Sequence, residues 1–297
     1  FVLKEGLNTM TARIDHEGGS IYTDPLSIRY APAVPNLHLL SIGIPAPDLK
    51  YTVKDARNMA QTFSNLYQEG GGFGSIFLDT LLQPEQTTKT EILKALRRYQ
   101  YRYKSRQVNP QDLLIVFISS HGLRPEAGQF RIAASDFDNP FVEETSLDFS
   151  KDILEYLQDL PCKKLFLVDA CHSGAGQDET PILSGGDQWY NVGRGQFPDT
   201  QFILSSRSDE YSYEDDRWQN GAFSEALIEC LNDMAGGNLG ADKDADGRLN
   251  SEELFQYLQE RIPALVAGKR PKTSTGQHPV FYRPPSQKPF TLYGKAK

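Results

Sequence analysis

The apolar run Leu113-Leu114-Ile115-Val116-Phe117-Ile118 constrains this chain more than any other feature. Six successive apolar residues leave no polar face, so a strand made from them is covered on both sides, as in a parallel sheet with helices above and below. Residues 165–168 repeat the pattern, and residues 37–44, 75–82 and 201–204 read as further strands. Helical periodicity fills the intervals. Residues 54–67 put Ala56, Met59, Ala60, Phe63 and Leu66 on one stripe, and residues 88–103 do the same with Ile92, Leu93, Ala95, Leu96 and Tyr99. Residues 151–160 and 223–234 add two more helices. This alternation predicts an α/β sandwich around a mostly parallel sheet.

The first thirty residues follow another rule. Residues 8–14 and 21–30 alternate in strand fashion around the turn cluster His16-Glu17-Gly18-Gly19, and Ala31-Pro32-Ala33-Val34-Pro35 reads as a linker. A lone hairpin is marginal in water. Residues 1–35 therefore read either as the last hairpin of an upstream all-β domain of a longer chain, or as an extra hairpin docked on the domain formed by residues 36–297. With 39% apolar residues, disorder is excluded as the dominant state. No apolar run approaches the ~20 residues a membrane span needs. A net charge of −8 without a basic stripe argues against nucleic acid as a partner. The three cysteines, Cys162, Cys171 and Cys230, make no disulfide framework and suit a reducing, cytoplasmic compartment.

In open α/β sheets, reactive groups gather beyond the carboxyl ends of the strands. Residues 113–118 run into Ser119-Ser120-His121-Gly122, and residues 165–168 run into Asp169-Ala170-Cys171-His172-Ser173-Gly174. A Cys/His pair performs acyl transfer: the thiolate attacks a carbonyl and the imidazole protonates the leaving amine. The N–H groups of Gly122 and Cys171 would form an oxyanion hole. Either residue alone would read as packing, a buried cysteine being a small hydrophobe. His172 competes for the base role, but partner groups come from separate strands, which favours His121.

At these two motifs the sequence resembles the caspase-like cysteine peptidases, closest to metacaspases and their bacterial relatives. The likeness runs from residue 37 to about residue 282 and includes Val53-Lys54-Asp55-Ala56 and Gly221-Ala222-Phe223-Ser224. About 50 residues separate histidine from cysteine in caspases, the interval between His121 and Cys171. The resemblance implies a three-layer caspase-like sandwich on a six-stranded, mostly parallel sheet, and endopeptidase activity on proteins or peptides with Cys171 as nucleophile and His121 as its partner. It also implies a first pocket lined by Asp55 and Asp169 with Ser119 beside them. Thr52 departs from the cysteine that some metacaspases carry there.

Asp169 leaves the same strand as Cys171 two residues earlier, on the same side. A carboxylate there repels acidic substrate side chains and predicts cleavage after Arg or Lys, with Asp55 as second acid. A turn-capping role for Asp169 and a helix-start role for Asp55 are the plainer readings. Residues 177–200 form a long polar stretch whose one basic residue, Arg194, is the expected point of self-cleavage.

Residues 242–253 match the calcium-loop pattern D-x-D-x-D-G-x5-E. Asp242, Asp244, Asp246, the Arg248 carbonyl and Glu253 would supply oxygen ligands to Ca2+, Asn250 a bridging water, and Gly247 the turn. An EF-hand-like insertion over about residues 223–262 is expected, although an acidic, solvated connection would read similarly. Asp136, Asp138, Glu143, Glu144 and Asp148 read as a solvated face. Two other classes of function stay open: a catalytically silent scaffold or calcium-responsive module, and another acyl-transfer enzyme such as an amidase.

Overall fold

The computed structural model describes residues 3–4, 6–30, 34–68, 70–123, 130–171, 197–207, 210–268 and 276–294. The chain divides into two units, Phe1–Val34 and Pro35–Lys297. In the first, β2 (Arg13–His16) and β3 (Gly19–Tyr22) close a tight hairpin, and outside them β1 (Gly6–Met10) pairs antiparallel with β4 (Leu26–Tyr30). Between β3 and β4 stands Pro25, which has no N–H to give a ladder.

In the second unit the apolar runs become strands. These are β5 (Leu37–Gly43), β6 (Ile76–Leu81), β7 (Leu113–Leu123), β8 (Arg131–Ala133), β9 (Ser146–Asp148), β10 (Lys163–Cys171) and β11 (Thr200–Leu204). Two short strands come next, β12 (Glu214–Asp215) and β13 (Asn220–Gly221), then β14 (Arg248–Asn250), β15 (Val280–Tyr282) and β16 (Thr291–Gly294). The main sheet runs β15-β11-β10-β7-β5-β6. All its pairings are parallel except that of the edge strand β15 with β11. β8 and β9 extend the far end of β7.

Period-two alternation along β7 divides the core. Leu114, Val116 and Ile118 pack on one face with Ile92, Leu96 and Tyr99 of helix α2 (Lys89–Lys104). Leu113, Ile115 and Phe117 pack on the other with Met59 and Phe63 of α1 (Thr52–Gln68). That second face also holds the helices downstream of the short α3 (Val142–Thr145) and α4 (Glu155–Leu157), namely α5 (Ala222–Ala235) and α6 (Ser251–Leu265). The result is the three-layer sandwich expected. Among the described residues, no helix is long and apolar enough to cross a membrane.

Two expectations need correction. The helix predicted over 151–160 begins earlier, as a π-helical turn over Phe149–Leu154, and ends at Leu157. Its start is set by Asp148, whose carboxylate accepts from the Ser150 and Lys151 N–H groups at 3.0 and 3.1 Å. Asp148 is consequently no part of a solvated face: it is buried, with Arg131 3.6 Å away. Asp136 is exposed, and it accepts from the Lys89 N–H at 3.1 Å.

Candidate active site

The sheet register brings the two motifs together. Strands β7 and β10 are parallel neighbours, with Ser119 opposite Asp169, Ser120 opposite Ala170 and His121 opposite Cys171. Adjacent strands lie about 4.8 Å apart, so the histidine and cysteine backbones are neighbours at the carboxyl end of the sheet. Cys171 closes β10; its side chain, like His172 and Arg194, lies outside the described residues. Gly122 succeeds His121 in β7 and faces Ile132 of β8.

The His121 ring is held from the loop after β5. Its Nε2 stands 2.7 Å from Asp48 Oδ1. Asp48 sits in a turn in which the Leu49 N–H donates to the Ala46 carbonyl at 3.3 Å, with Pro47 in between. Proline presets the backbone angle of such a turn, which fixes where the carboxylate points. The hydrogen bond from His121 in turn lowers the Asp48 pKa. The sequence reading missed Asp48, although its position at the carboxyl end of a strand next to β7 is a signal that could have found it.

Below the strand ends, Asp55, Asp169 and Ser119 converge as the resemblance implied. Ser119 donates to Asp55 Oδ2 and the Gly221 N–H to Asp55 Oδ1, both at 3.1 Å. Asp169 accepts from Ser212 Oγ at 2.8 Å on Oδ1, and from Ser224 Oγ at 2.6 Å and the Ser224 N–H at 3.3 Å on Oδ2. Ser224 belongs to the first turn of α5, whose N-cap, Gly221, has no side chain to offer. Asp169 supplies the missing acceptor from another strand. A Cβ on Gly221 would lie 2.5 Å from Asp169 Oδ2, so glycine is what lets the helix end and the carboxylate approach.

Both carboxylates are buried, Asp55 to 1% exposure and Asp169 to 6%. Burial raises both pKa values. That of Asp55 rises well above the usual carboxylate range, because the Asp169 charge adds to burial, whereas three donors offset the burial of Asp169. Glu214 lines the same space, its carboxylate accepting from the N–H groups of Lys50 and Tyr51 at 3.0 and 3.1 Å. Thr52 also lines it, its hydroxyl donating to the Ile44 carbonyl at 2.8 Å. The cavity between these groups holds about 20 Å³, the room of one water. Ser212, Glu214, Gly221 and Ser224 were not assigned pocket roles from sequence. Gly221 and Ser224 belong to a motif the resemblance already marked, without a role, and all four are brought to the pocket only by folding.

The predicted calcium loop lies between α5 and α6. Asp242, Asp244 and Asp246 gather one carboxylate oxygen each within 4.8 Å of one another, and Gly247 takes a positive φ of 80° at the turn. These hard oxygens fit a calcium ion. Glu253 and Asn250 are engaged otherwise. Asn250 caps α6 by accepting from the Glu252 and Glu253 N–H groups at 2.9 and 3.1 Å. The Glu253 carboxylate accepts from the N–H groups of Lys243 at 2.9 Å and Asn250 at 3.0 Å, and so stands outside the aspartate cluster. Arg248 lies in β14, opposite Gly294 of β16. A strand from the carboxyl-terminal end thus occupies the flank of the loop where a second EF-hand would pair.

A family model for the caspase domain, a peptidase family, matches residues 40–291. No curated protein matches the chain. Among solved structures, the fold is similar to that of caspase-1 from Spodoptera frugiperda, with 15% identity and a TM-score of 0.51 over 89% of this chain and 91% of that one. At that identity the likeness speaks for the fold, and the family model, covering most of the chain and both strand-end motifs, speaks for the lineage. The chain belongs to the caspase-domain family of cysteine peptidases.

Proposed function

We propose that this protein is a metacaspase-type endopeptidase that cleaves protein substrates after Arg or Lys. The observation that carries the reading is the buried carboxylate pair: Asp169, two residues before Cys171 and opposite Ser119, and Asp55 of α1, which accepts from Ser119. Cys171 is the nucleophile. Burial pushes the Cys162 thiol up to about 11 and the Cys230 thiol up to about 12, so neither is a thiolate near neutrality.

Cys171 attacks the carbonyl carbon of the scissile bond, and the N–H groups of Gly122 and Cys171 receive the developing oxyanion. His121, which takes the thiol proton as the attack begins, returns it to the leaving amine as the C–N bond breaks, and water then hydrolyses the thioester to free Cys171. An ionised Asp48 accepts the Nε2 proton, which leaves proton transfer to Nδ1; Asp48 is a positioning residue. A guanidinium would be forked by Asp55 and Asp169. The 20 Å³ space admits it only when the loop walls, Leu49, Ser212 and Glu214, draw back from Ser119, Asp55 and Asp169. An acidic side chain finds no partner there.

Calcium binding by Asp242, Asp244 and Asp246 and self-cleavage at Arg194 are secondary parts of the same proposal. The bound ion would tie α5 to α6 and β14, a stabilising rather than a chemical role. Peptides differing only in the residue before the scissile bond, incubated with wild type and Cys171→Ala, test the main reading. Cleavage after Arg and Lys by wild type alone is expected. Preference for Asp, or turnover by Cys171→Ala, would overturn it.

A further inference from the structure

A second cavity adjoins His121 and is much larger than the acid pocket, about 330 Å³, within the ~300–1,000 Å³ typical of ligand clefts. Ile44, Pro45, Leu123, Ala133, Ala134 and Phe137 give it a mostly apolar wall. Among its polar members, Asp48 holds His121, Ser120 donates to the Ala133 carbonyl at 2.8 Å, and Ser135 donates to the Pro84 carbonyl. Ser120 borders both this cavity and the acid pocket. Its predecessor Ser119 turns the opposite way, to Asp55. The two cavities thus meet at Ser120, at the carboxyl end of β7.

We propose that this cavity receives the side chain of the residue immediately after the scissile bond, and that the enzyme prefers an apolar residue there. The inference rests on the peptidase reading above and deepens it. In an extended peptide, successive side chains point to opposite sides. If the residue before the cut enters the acid pocket, the side chain of the residue after it is directed away from that pocket. Of the two cavities only this one has His121 among its described walls. His121 must stand beside the leaving nitrogen to protonate it, so the cavity it lines lies on the leaving-group side. An acidic side chain there would be repelled by Asp48 and a basic one would compete with His121 for it, whereas a Leu or Phe side chain would exchange water for apolar contact.

The test is a peptide series with Arg fixed before the scissile bond and Leu, Phe, Gly, Asp or Lys after it. Wild type should favour Leu and Phe over Gly by about 10- to 200-fold in kcat/KM, with Asp and Lys below Gly. Ala46→Phe, which fills the cavity from the half-buried start of the Pro47 turn, should collapse the Leu-to-Gly ratio towards one. Being a ratio on one enzyme sample, this quantity is insensitive to any fraction that misfolds. Cleavage after Arg with equal rates for Leu and Gly, or with a preference for Asp or Lys, overturns this proposal and leaves the peptidase reading standing. No cleavage after Arg in any member overturns both.

Discussion

Two groups of carboxylates, one buried and one exposed, treat negative charge in opposite ways. Asp55 and Asp169 are buried between β7, β10, α1 and α5, and their donors come from β7, β13, α5 and the segment just before β12. Asp244 and Asp246 are exposed and Asp242 half-buried, and the loop's own N–H groups serve them: those of Asp246 and Gly247 on Asp242, and that of Arg248 on Asp246. In the first group desolvation and like charge disfavour ionisation, so the site is held under electrostatic strain that a substrate cation would relieve. In the second, water screens the charges, and the loop gathers oxygens without comparable cost. A buried pair can therefore discriminate among side chains, while an exposed cluster can only hold an ion.

The sharpest way to break this contrast is to remove one buried carboxylate. Asp169→Ala leaves a bound Arg without half of its fork, and should lower selectivity for Arg over a neutral residue by ~2–5 kcal/mol, about thirty- to several-thousand-fold. Steady-state rates on paired peptides measure it. Arg selectivity untouched by Asp169→Ala would mean the pair is a structural cap and nothing more.

Calcium probes the other site. Binding to the folded state stabilises by RT ln(1 + [L]/Kd), about 2.7 kcal/mol at one hundred times Kd, or roughly 5–10 °C in Tm. Thermal melts with and without millimolar calcium should show that shift in wild type and lose it in Asp242→Asn/Asp244→Asn. An unchanged Tm would leave the loop without an ion.

The smallest effect separates the two environments most directly. Asp55→Asn removes a charge that folding disfavours, and should raise stability at pH 7 by ~1 kcal/mol, roughly 2–4 °C. The raised pKa of Asp55 means that the folded state holds more protons than the unfolded one. The contribution of Asp55 to stability is therefore most favourable at acid pH and is lost as pH rises through the raised value. The advantage of Asp55→Asn should fade towards pH 4, where wild type regains its proton. Asp244→Asn, without calcium, should stay within ~0.5 kcal/mol at any pH. Denaturant titrations across pH decide it; destabilisation by Asp55→Asn at neutral pH would show that its hydrogen bonds to Ser119 and Gly221 outweigh the charge.

Much of the molecule is legible in its sequence. Residues 113–118 and 165–168 could only be central parallel strands, since continuous apolar runs need cover on both faces, and the residues just past each run must emerge at the sheet's carboxyl edge. That reasoning places His121 and Cys171 close together, and the period of two puts Asp169 and Ser119 on one face. The aspartates of the 242–253 loop were legible too, because their spacing is local. Glu253 and Asn250 fit two local patterns at once, the calcium loop and the capping box of α6.

Periodicities within about a dozen residues account for everything the amino-acid order settles unaided: strand against helix, face against face, and which turns carry chemistry. The groups that surround that chemistry are chosen by tertiary packing. Asp48 on His121, Ser212 and Ser224 on Asp169, and Gly221 on Asp55 join residues 43 to 166 positions apart. The apolar cavity beside His121 likewise combines the turn after β5 with the turn after β8. Contacts at such separations depend on how helices and loops return to the sheet edge, and that is set by the packing of both core faces together rather than by any segment alone.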